Sequence, residues 1–187
     1  MNSIKLIYYG LVLAFVAGLC GSVLGYVYLA TKPRIEMIKD EQLKSSLELV
    51  LPGVDGFSEK SVKGQTYWVG LSGGKTRGYV FKVESDGYSS NIELLVGVSP
   101  DGVVQGVRVL YQQETPGLGA RIEEVRVGEE SAWFMRQFKG KKGEQLKLRK
   151  YGGLVDGVTG ATVSSEAVSK GIELKVSEML MVVSEDG

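Results

Sequence analysis

Residues 92–111 read IELLVGVSPDGVVQGVRVLY and set the fold class of the soluble part of this chain. Apolar residues alternate in Ile92–Val98 and again in Val103–Tyr111, as in strands with one buried face. Between them, Ser99–Gly102 has Pro at its second position and Gly at its fourth, which suits a type I turn. The residues expected on the apolar faces are Ile92, Leu94, Val96, Val98, Val103, Val107 and Val109. Two strands joined by so tight a turn are antiparallel, which excludes a βαβ unit here.

The amino-acid composition excludes several kinds of catalytic and metal-binding site. Among 187 residues, 22 Lys and Arg balance 22 Asp and Glu, so no net charge favours nucleic acid as a partner. The sequence has no histidine, and Cys20 is its only cysteine. Ser-His triads, the usual zinc sites, His-ligated haem and iron-sulfur clusters are therefore excluded. Redox work by this chain would need an organic cofactor.

The N-terminal region predicts a membrane anchor. After a short tail, residues 1–5, no charge occurs between Lys5 and Lys32, and residues 6–31 are mostly apolar. A helix of about 20 apolar residues spans a bilayer, whereas the apolar region of a signal peptide has only about 7 to 15 residues. An uncleaved transmembrane helix is the preferred interpretation, with a cleaved signal peptide as the alternative.

The flanking charges favour a cytoplasmic soluble domain. Lys5 and the amino terminus lie on one side of residues 6–31. The opposite flank is richer in positive charge, and positive flanks tend to stay in the cytoplasm. The positive residues on that flank are Lys32, Arg34, Lys39 and Lys44.

The remaining sequence predicts an α+β domain. Residues 32–60 form a juxtamembrane helical stalk, and the soluble domain occupies residues 61–187. Strands are expected at Thr66–Leu71 and Gly78–Glu84, around a glycine-containing hairpin loop. Residues 139–150 are interpreted as a basic, solvated surface, with partner docking as a minor option. We expect one N-terminal transmembrane helix followed by an antiparallel sheet packed by helices.

Two helices complete this prediction. Ser131–Phe138 is expected to be a short helix whose aromatic side chains belong to the core. Ser165–Val183 has apolar residues at helical spacing and predicts an amphipathic closing helix that packs on the sheet.

The sequence DGVTGATVSS, Asp156–Ser165, stands where that closing helix begins. The first N–H groups of a helix have no partner within it and lie at the positive end of the helix dipole, so they favour a phosphate. The plainer interpretation is an N-cap cluster of hydroxyl residues. A second motif, ETPGLG at Glu114–Gly119, follows the second alternating strand and would by itself be a turn-rich loop.

Together these motifs resemble the FMN-binding domain of the flavin-carrying subunits of Rnf complexes and of sodium-pumping NADH:quinone oxidoreductases. An Asp-Gly pair, two residues and Gly-Ala-Thr form the flavinylation signature of that family. The resemblance implies that FMN is esterified to Thr162 through its phosphate, by a flavin transferase. Gly87–Ile92, GYSSNI, is a weaker match, with serines in place of the family's glycines. The cofactor-binding residues implied or predicted are Thr162, Thr115, Leu118, Glu114, Gly117, Tyr88, Gly160, Ala161, Val163 and Ser164.

The resemblance also implies a role. Such a subunit carries electrons inside a larger complex coupled to ion translocation, has no catalytic residues or metal of its own, and faces the periplasm or cell exterior. Its partners would be the other subunits, the flavin transferase and the lipid membrane. A single span with a short chain fits best the G subunits of Rnf complexes, with the C subunits of the quinone reductase as the alternative. From a different class, a cofactor-free, membrane-anchored scaffold module also explains the span and the sheet.

Overall fold

The computed structural model describes residues 3–62, 64–129 and 131–186. The chain divides into two compact units, residues 1–43 and 44–187. Three short 3-10 helices lie between the last strand and the final helix, at Gly119–Glu123, Gly143–Leu146 and Arg149–Tyr151. The helices and strands are α1 Ser3–Val50, β1 Gly56–Val62, β2 Gln65–Ser72, β3 Lys75–Asp86, β4 Asn91–Val98, β5 Val104–Tyr111, α2 Trp133–Arg136 and α3 Thr162–Asp186.

The first unit consists of the N-terminal part of α1. Its segment Ile7–Ile35 has a mean hydropathy of 2.1 and is long enough to cross a bilayer. None of the most apolar 18-residue window is buried within the protein. Apolar side chains without protein cover suit contact with lipid, so the segment has the composition and exposure of a membrane anchor.

The second unit is built on a five-stranded sheet in the order β1-β2-β3-β4-β5, and every neighbouring pair is antiparallel. The predicted α+β class and both predicted hairpins are confirmed. Strand β1 begins at Gly56, inside the segment 32–60 that was expected to be helical stalk. Its side chains are mostly exposed, so β1 lacks the apolar alternation that identifies a half-buried strand.

One expectation about the central hairpin is wrong. Val103 was expected on the apolar face, but β5 starts at Val104, which is fully buried and pairs with Val98. The register between β4 and β5 shifts at Gly97/Val98, which is a β-bulge or similar irregularity. Because side chains alternate along a strand, this shift turns Val104 toward the core at the start of β5 in place of Val103.

One face of the sheet packs against α3 and the segments that precede it. The predicted apolar residues of α3 are at most 3% exposed from Val168 to Met179. Gly171 allows the helix to approach β3, because a Cβ there would overlap the side chain of Ser85. The aromatic residues of the predicted helix at Ser131–Phe138 contribute Phe134 and Phe138 to this core, as expected, although α2 itself covers only one turn. This packing fixes the N-terminal end of α3 relative to the sheet.

The opposite face receives the last turn of α1. Leu47, Val50 and Leu51 are at most 3% exposed. Glycines on four adjacent strands provide the room, since a Cβ at any of them would collide with Val50, Leu51 or the neighbouring backbone. These glycines are Gly70, Gly78, Gly97 and Gly106. The end of α1 is therefore part of the core of the second unit.

Substituting Gly97 by Ala tests this packing. The new Cβ would overlap the backbone carbonyl of Val50, which cannot move as a flexible side chain can. Overpacking of this kind costs about 1–3 kcal/mol of the free energy of unfolding. Gly56 is the matched control, because a Cβ there meets nothing within 4 Å; Gly56→Ala should stay within about 0.5 kcal/mol of the parent. Urea unfolding of the detergent-solubilised chain measures both, and equal stabilities would contradict the packing.

Candidate functional site

The N-terminal end of α3 is the centre of the candidate site. A turn precedes it, closed by a hydrogen bond from the N–H of Ala161 to the carbonyl of Val158 at 3.0 Å. Gly160 has φ +81°, a conformation that favours glycine. Ala161 accepts the first helical hydrogen bond, from Ser165 at 2.9 Å, and its methyl side chain has no oxygen to cap the helix. The N–H groups of the first turn thus keep their capacity for an external acceptor.

Burial separates the four hydroxyl residues of this segment. Ser164 and Ser165 are at most 1% exposed, and both hydroxyls form internal hydrogen bonds. Thr159 and Thr162 are exposed. Of these four hydroxyl residues, only the two threonines are therefore accessible from solvent. The sequence motif offered no local reason to separate these four residues.

The Glu114 carboxylate joins the first turn of α3 to the loop between β3 and β4. Its side chain is only 5% exposed. Its Oε1 accepts hydrogen bonds from the N–H groups of Ser89 at 2.9 Å and Ser90 at 3.0 Å. Its Oε2 accepts from the N–H of Tyr88 at 3.1 Å and from the Ser164 hydroxyl at 2.5 Å. The GYSSNI loop, the ETPGLG loop and the helix start are therefore brought together.

The surroundings of Glu114 keep its side chain ionised at neutral pH. Burial, the largest single influence, raises its pKa, but the hydrogen bonds together outweigh this effect and lower the pKa below its ordinary 4.5. The Ser164 hydroxyl makes the largest of these lowering contributions, ahead of the three backbone N–H groups.

The ETPGLG loop exposes a small apolar surface next to the helix start. Leu118 is 50% exposed, and its Cδ2 would lie 3.4 Å from a Cβ placed on Gly160. The Thr115 hydroxyl lies 3.2 Å from that of Ser89. Gly117 has φ +76°, so the turn at this position favours glycine. Tyr88, 74% exposed, and Val163, 48% exposed, add apolar surface on the two neighbouring segments.

A cavity of ≈ 210 Å³ lies beside Thr162. Its wall includes Arg149 and Lys150, which the sequence placed on an ordinary solvated surface. Leu148 and Val155 form a parallel bridge that brings this basic segment beside the helix start. The pairing of two short loop segments has no periodic signature, so sequence patterns could not reveal it. The residues lining the cavity are Leu148, Arg149, Lys150, Asp156, Gly157, Val158, Thr159 and Thr162.

Both cations of the cavity are paired with carboxylates. The Nε of Arg149 lies 2.7 Å from Oδ1 of Asp156, and Lys150 pairs with Glu166. The hydrogen bond to Glu166 raises the pKa of Lys150 above its ordinary 10.5. All of these groups are exposed or half-buried, so their ion pairs contribute little to stability and can rearrange around an incoming anion.

The described parts of the chain contain no cluster of side chains that could bind a metal ion. Within residues 3–62, 64–129 and 131–186, no group of three or more Asp, Glu or Cys side chains could hold a metal ion.

Comparison with known proteins shows the family of the chain. The FMN-binding domain family matches residues 87–176, and the family of RnfG N-terminal regions matches residues 1–50. The G subunit of the proton-translocating ferredoxin:NAD(+) oxidoreductase complex of Clostridium ljungdahlii is 33% identical over 162 residues, 85% of this chain and 83% of that protein. The G subunit of the ion-translocating oxidoreductase complex of Pasteurella multocida is 31% identical over 199 residues, 96% of each.

A crystal structure of Shewanella oneidensis NqrC aligns with 73% of each chain at 21% identity and a TM-score of 0.47. The family matches define a protein with an FMN-binding domain behind an apolar N-terminal helix. More particularly, the chain belongs to the family of G subunits of ion-translocating oxidoreductase complexes. The resemblance read from the two sequence motifs is confirmed at the level of the family, and so is the expectation of an FMN-binding domain.

Proposed function

We propose that this chain is a non-autonomous electron-carrying subunit of a membrane-bound Rnf-type complex, and that it holds FMN esterified to Thr162. The observation that supports this most is the position of Thr162, an exposed hydroxyl in the first turn of α3 beside a cation-lined cavity. The relatives named above are subunits of ion-translocating oxidoreductase complexes, which supports the redox role.

The phosphate of the cofactor fits the helix start. A phosphate esterified on two sides retains one negative charge. The N–H groups of Val163 and Ser164 and the helix dipole favour that charge, and Arg149 and Lys150 lie in the adjoining cavity. Gly160 and Ala161 add little side-chain bulk at the approach to the helix. The chain thus offers backbone hydrogen-bond donors and the positive end of a helix dipole where the ester would form, beside two cations that are paired with Asp156 and Glu166.

The ring of the cofactor would lie on the neighbouring apolar surface. Leu118 and Thr115 belong to the ETPGLG loop, and the exposed Tyr88 offers an aromatic face for stacking. FMN, when bound, supplies the electron transfer that the side chains of this protein cannot perform. An open surface lets redox partners approach the ring but retains a free cofactor poorly. A covalent bond keeps the cofactor at high local concentration despite this exposure.

The assembly follows from the same family membership. The C. ljungdahlii relative is named as a subunit of a proton-translocating ferredoxin:NAD(+) oxidoreductase complex. By analogy, this chain exchanges electrons with other subunits of such a complex, whose electron flow is coupled to ion translocation. A flavin transferase is required for maturation, because the ester bond to a threonine hydroxyl does not form by simple binding. The segment 7–35 anchors the chain in the membrane.

Substituting Thr162 by Ala tests the attachment site. The exposed hydroxyl can be removed without creating a cavity, so the fold should persist while covalent FMN is lost. Thr159→Ala is the matched control, since Thr159 is the other exposed hydroxyl of the segment and should be dispensable. Mass spectrometry of chains made with a flavin transferase should show roughly 440 Da of added mass, estimated from the cofactor's formula, in the parent and the control only.

Three results would contradict the assignment. Covalent flavin that persists in Thr162→Ala would move the attachment elsewhere. Loss of flavin in Thr159→Ala alone would favour the other threonine. An unmodified parent chain would instead support the anchored scaffold without a cofactor.

We place the soluble domain on the periplasmic or extracellular side, as the family resemblance implies and against the balance of flanking charge. Long domains can be translocated despite their charge. Val127 is a fully exposed labelling position that is not among the residues of the proposed site, and Cys20 is the only native thiol. In a Cys20→Ser background, Val127→Cys should react with a membrane-impermeant maleimide on intact cells. Labelling that requires cell lysis would place the domain in the cytoplasm.

A further inference from the structure

We propose that Glu114 is a positioning residue whose buried carboxylate fixes the spacing between the helix start that presents Thr162 and the loop that presents Tyr88. In our proposal this spacing holds the flavin ring at a set distance from its phosphate, and that part rests on the proposed function. The existence of the link does not, because it depends only on contacts within the protein.

The carboxylate is fully engaged by the protein itself. Oε1 accepts two backbone hydrogen bonds, from Ser89 and Ser90, and lies 3.3 Å from the Ser90 hydroxyl. Oε2 accepts from Tyr88 and from Ser164. A carboxylate accepts about four hydrogen bonds, so little capacity remains for a cofactor. Glu114 therefore acts on the flavin through the segments that it joins.

Only an ionised carboxylate satisfies all of these donors. Backbone N–H groups and hydroxyls converge on both oxygens, and every one of them needs an acceptor. Glutamine has nearly the same shape, but it would turn an NH₂ group toward donors on one side. A buried donor left without a partner is costly, so Glu114→Gln should release either the loop or the helix start.

The packing around Glu114 is equally restrictive. A Cβ on Gly87 would lie 2.6 Å from Oε1, and one on Gly119 would lie 2.5 Å from Oε2 and 2.7 Å from the Ser164 hydroxyl. Both glycines thus make room for the carboxylate and not for a ligand. The loop uses backbone N–H groups, which every residue except proline provides. Serines at positions 89 and 90 are therefore compatible with the link although the family pattern has glycines there.

The charge state of Glu114 makes the link sensitive to acid. Because the folded-state pKa lies below the ordinary 4.5, the stabilisation is present above that value and is lost as the pH falls through the folded-state pKa. The facing groups are hydroxyls and backbone N–H groups from the loop and from α3. No Lys or Arg within residues 3–62, 64–129 and 131–186 forms an ion pair with Glu114 among the salt bridges of these ranges.

A titration of the flavin-free full chain tests the link directly. In the parent, the amide NMR signals of Tyr88, Ser89, Ser90 and Ser164 should move together with one apparent pKa below 4.5. In Glu114→Gln this shared titration should vanish, and the amide protons of Ser89 and Ser90 should exchange faster with solvent. Independent titrations in the parent, or unchanged exchange in the variant, would overturn the proposal whether or not FMN is attached.

A second variant tests the effect on the flavin. Ser164→Ala removes only the connection to α3, while Ser169→Ala is a matched control on the same helix. Ser169 is 3% exposed, and its hydroxyl donates to the carbonyl of Leu146 at 2.8 Å. Both substitutions remove one buried hydrogen bond, and the loss of stability should be larger for Ser164→Ala because its acceptor is charged. Per attached flavin, visible circular dichroism and fluorescence anisotropy should move toward those of free FMN in Ser164→Ala alone.

The amide titration and the flavin spectroscopy distinguish failure of this proposal from failure of the proposed function. Equal flavin signals in the two serine variants would overturn the positioning role. So would a fall in the amount of attached flavin without any change in the signal per flavin. A parent chain that never acquires flavin would refute the proposed function, yet the amide titration would still decide whether Glu114 joins the two segments.

Discussion

The burial of α3 against the sheet is the interaction on which the other features depend. Val168, Ile172, Val176 and Met179 are almost completely buried. Burying an apolar side chain of this size contributes roughly 1.5–3 kcal/mol, so four of them outweigh any surface ion pair, which is worth about 0–1 kcal/mol. Gly171 adds close contact with β3. The helix axis is thus fixed by apolar packing, and the first turn of α3 is carried to a defined place.

Polar interactions add to the apolar packing that positions the first turn of α3. The Glu114 carboxylate is buried, and its hydrogen bonds are charge-assisted, which makes them stronger than bonds between neutral groups. The ion pairs of Arg149 and Lys150 are exposed and therefore weak and adaptable. The candidate site thus combines one side held by buried hydrogen bonds with a cationic side held by exposed ion pairs.

Two separate glycine sets serve two separate contacts in this fold. Glycines on β2–β5 admit the last turn of α1 to one face of the sheet, and Gly87 and Gly119 admit the Glu114 carboxylate at the candidate site. In both cases a missing Cβ permits a close approach, so the position requires glycine for reasons of space. The first set admits the end of α1 to the core, and the second makes room for the carboxylate that links the loop between β3 and β4 to the first turn of α3.

Patterns along the chain were sufficient to predict much of the fold of this protein. Alternation in Ile92–Val98 identified the antiparallel class and helical spacing identified α3, because each pattern reports a local period with one buried face. The uncharged run after Lys5 identified, by its composition, a helix that is long and apolar enough to cross a bilayer. Two short motifs were sufficient to predict the family. Only the tertiary structure decided the rest: the inward place of Val104, the burial of the Ser164 and Ser165 hydroxyls, the cations beside Thr162 and the hydrogen bonds of Glu114. These depend on contacts between segments up to 50 residues apart, and such contacts leave no period in a sequence.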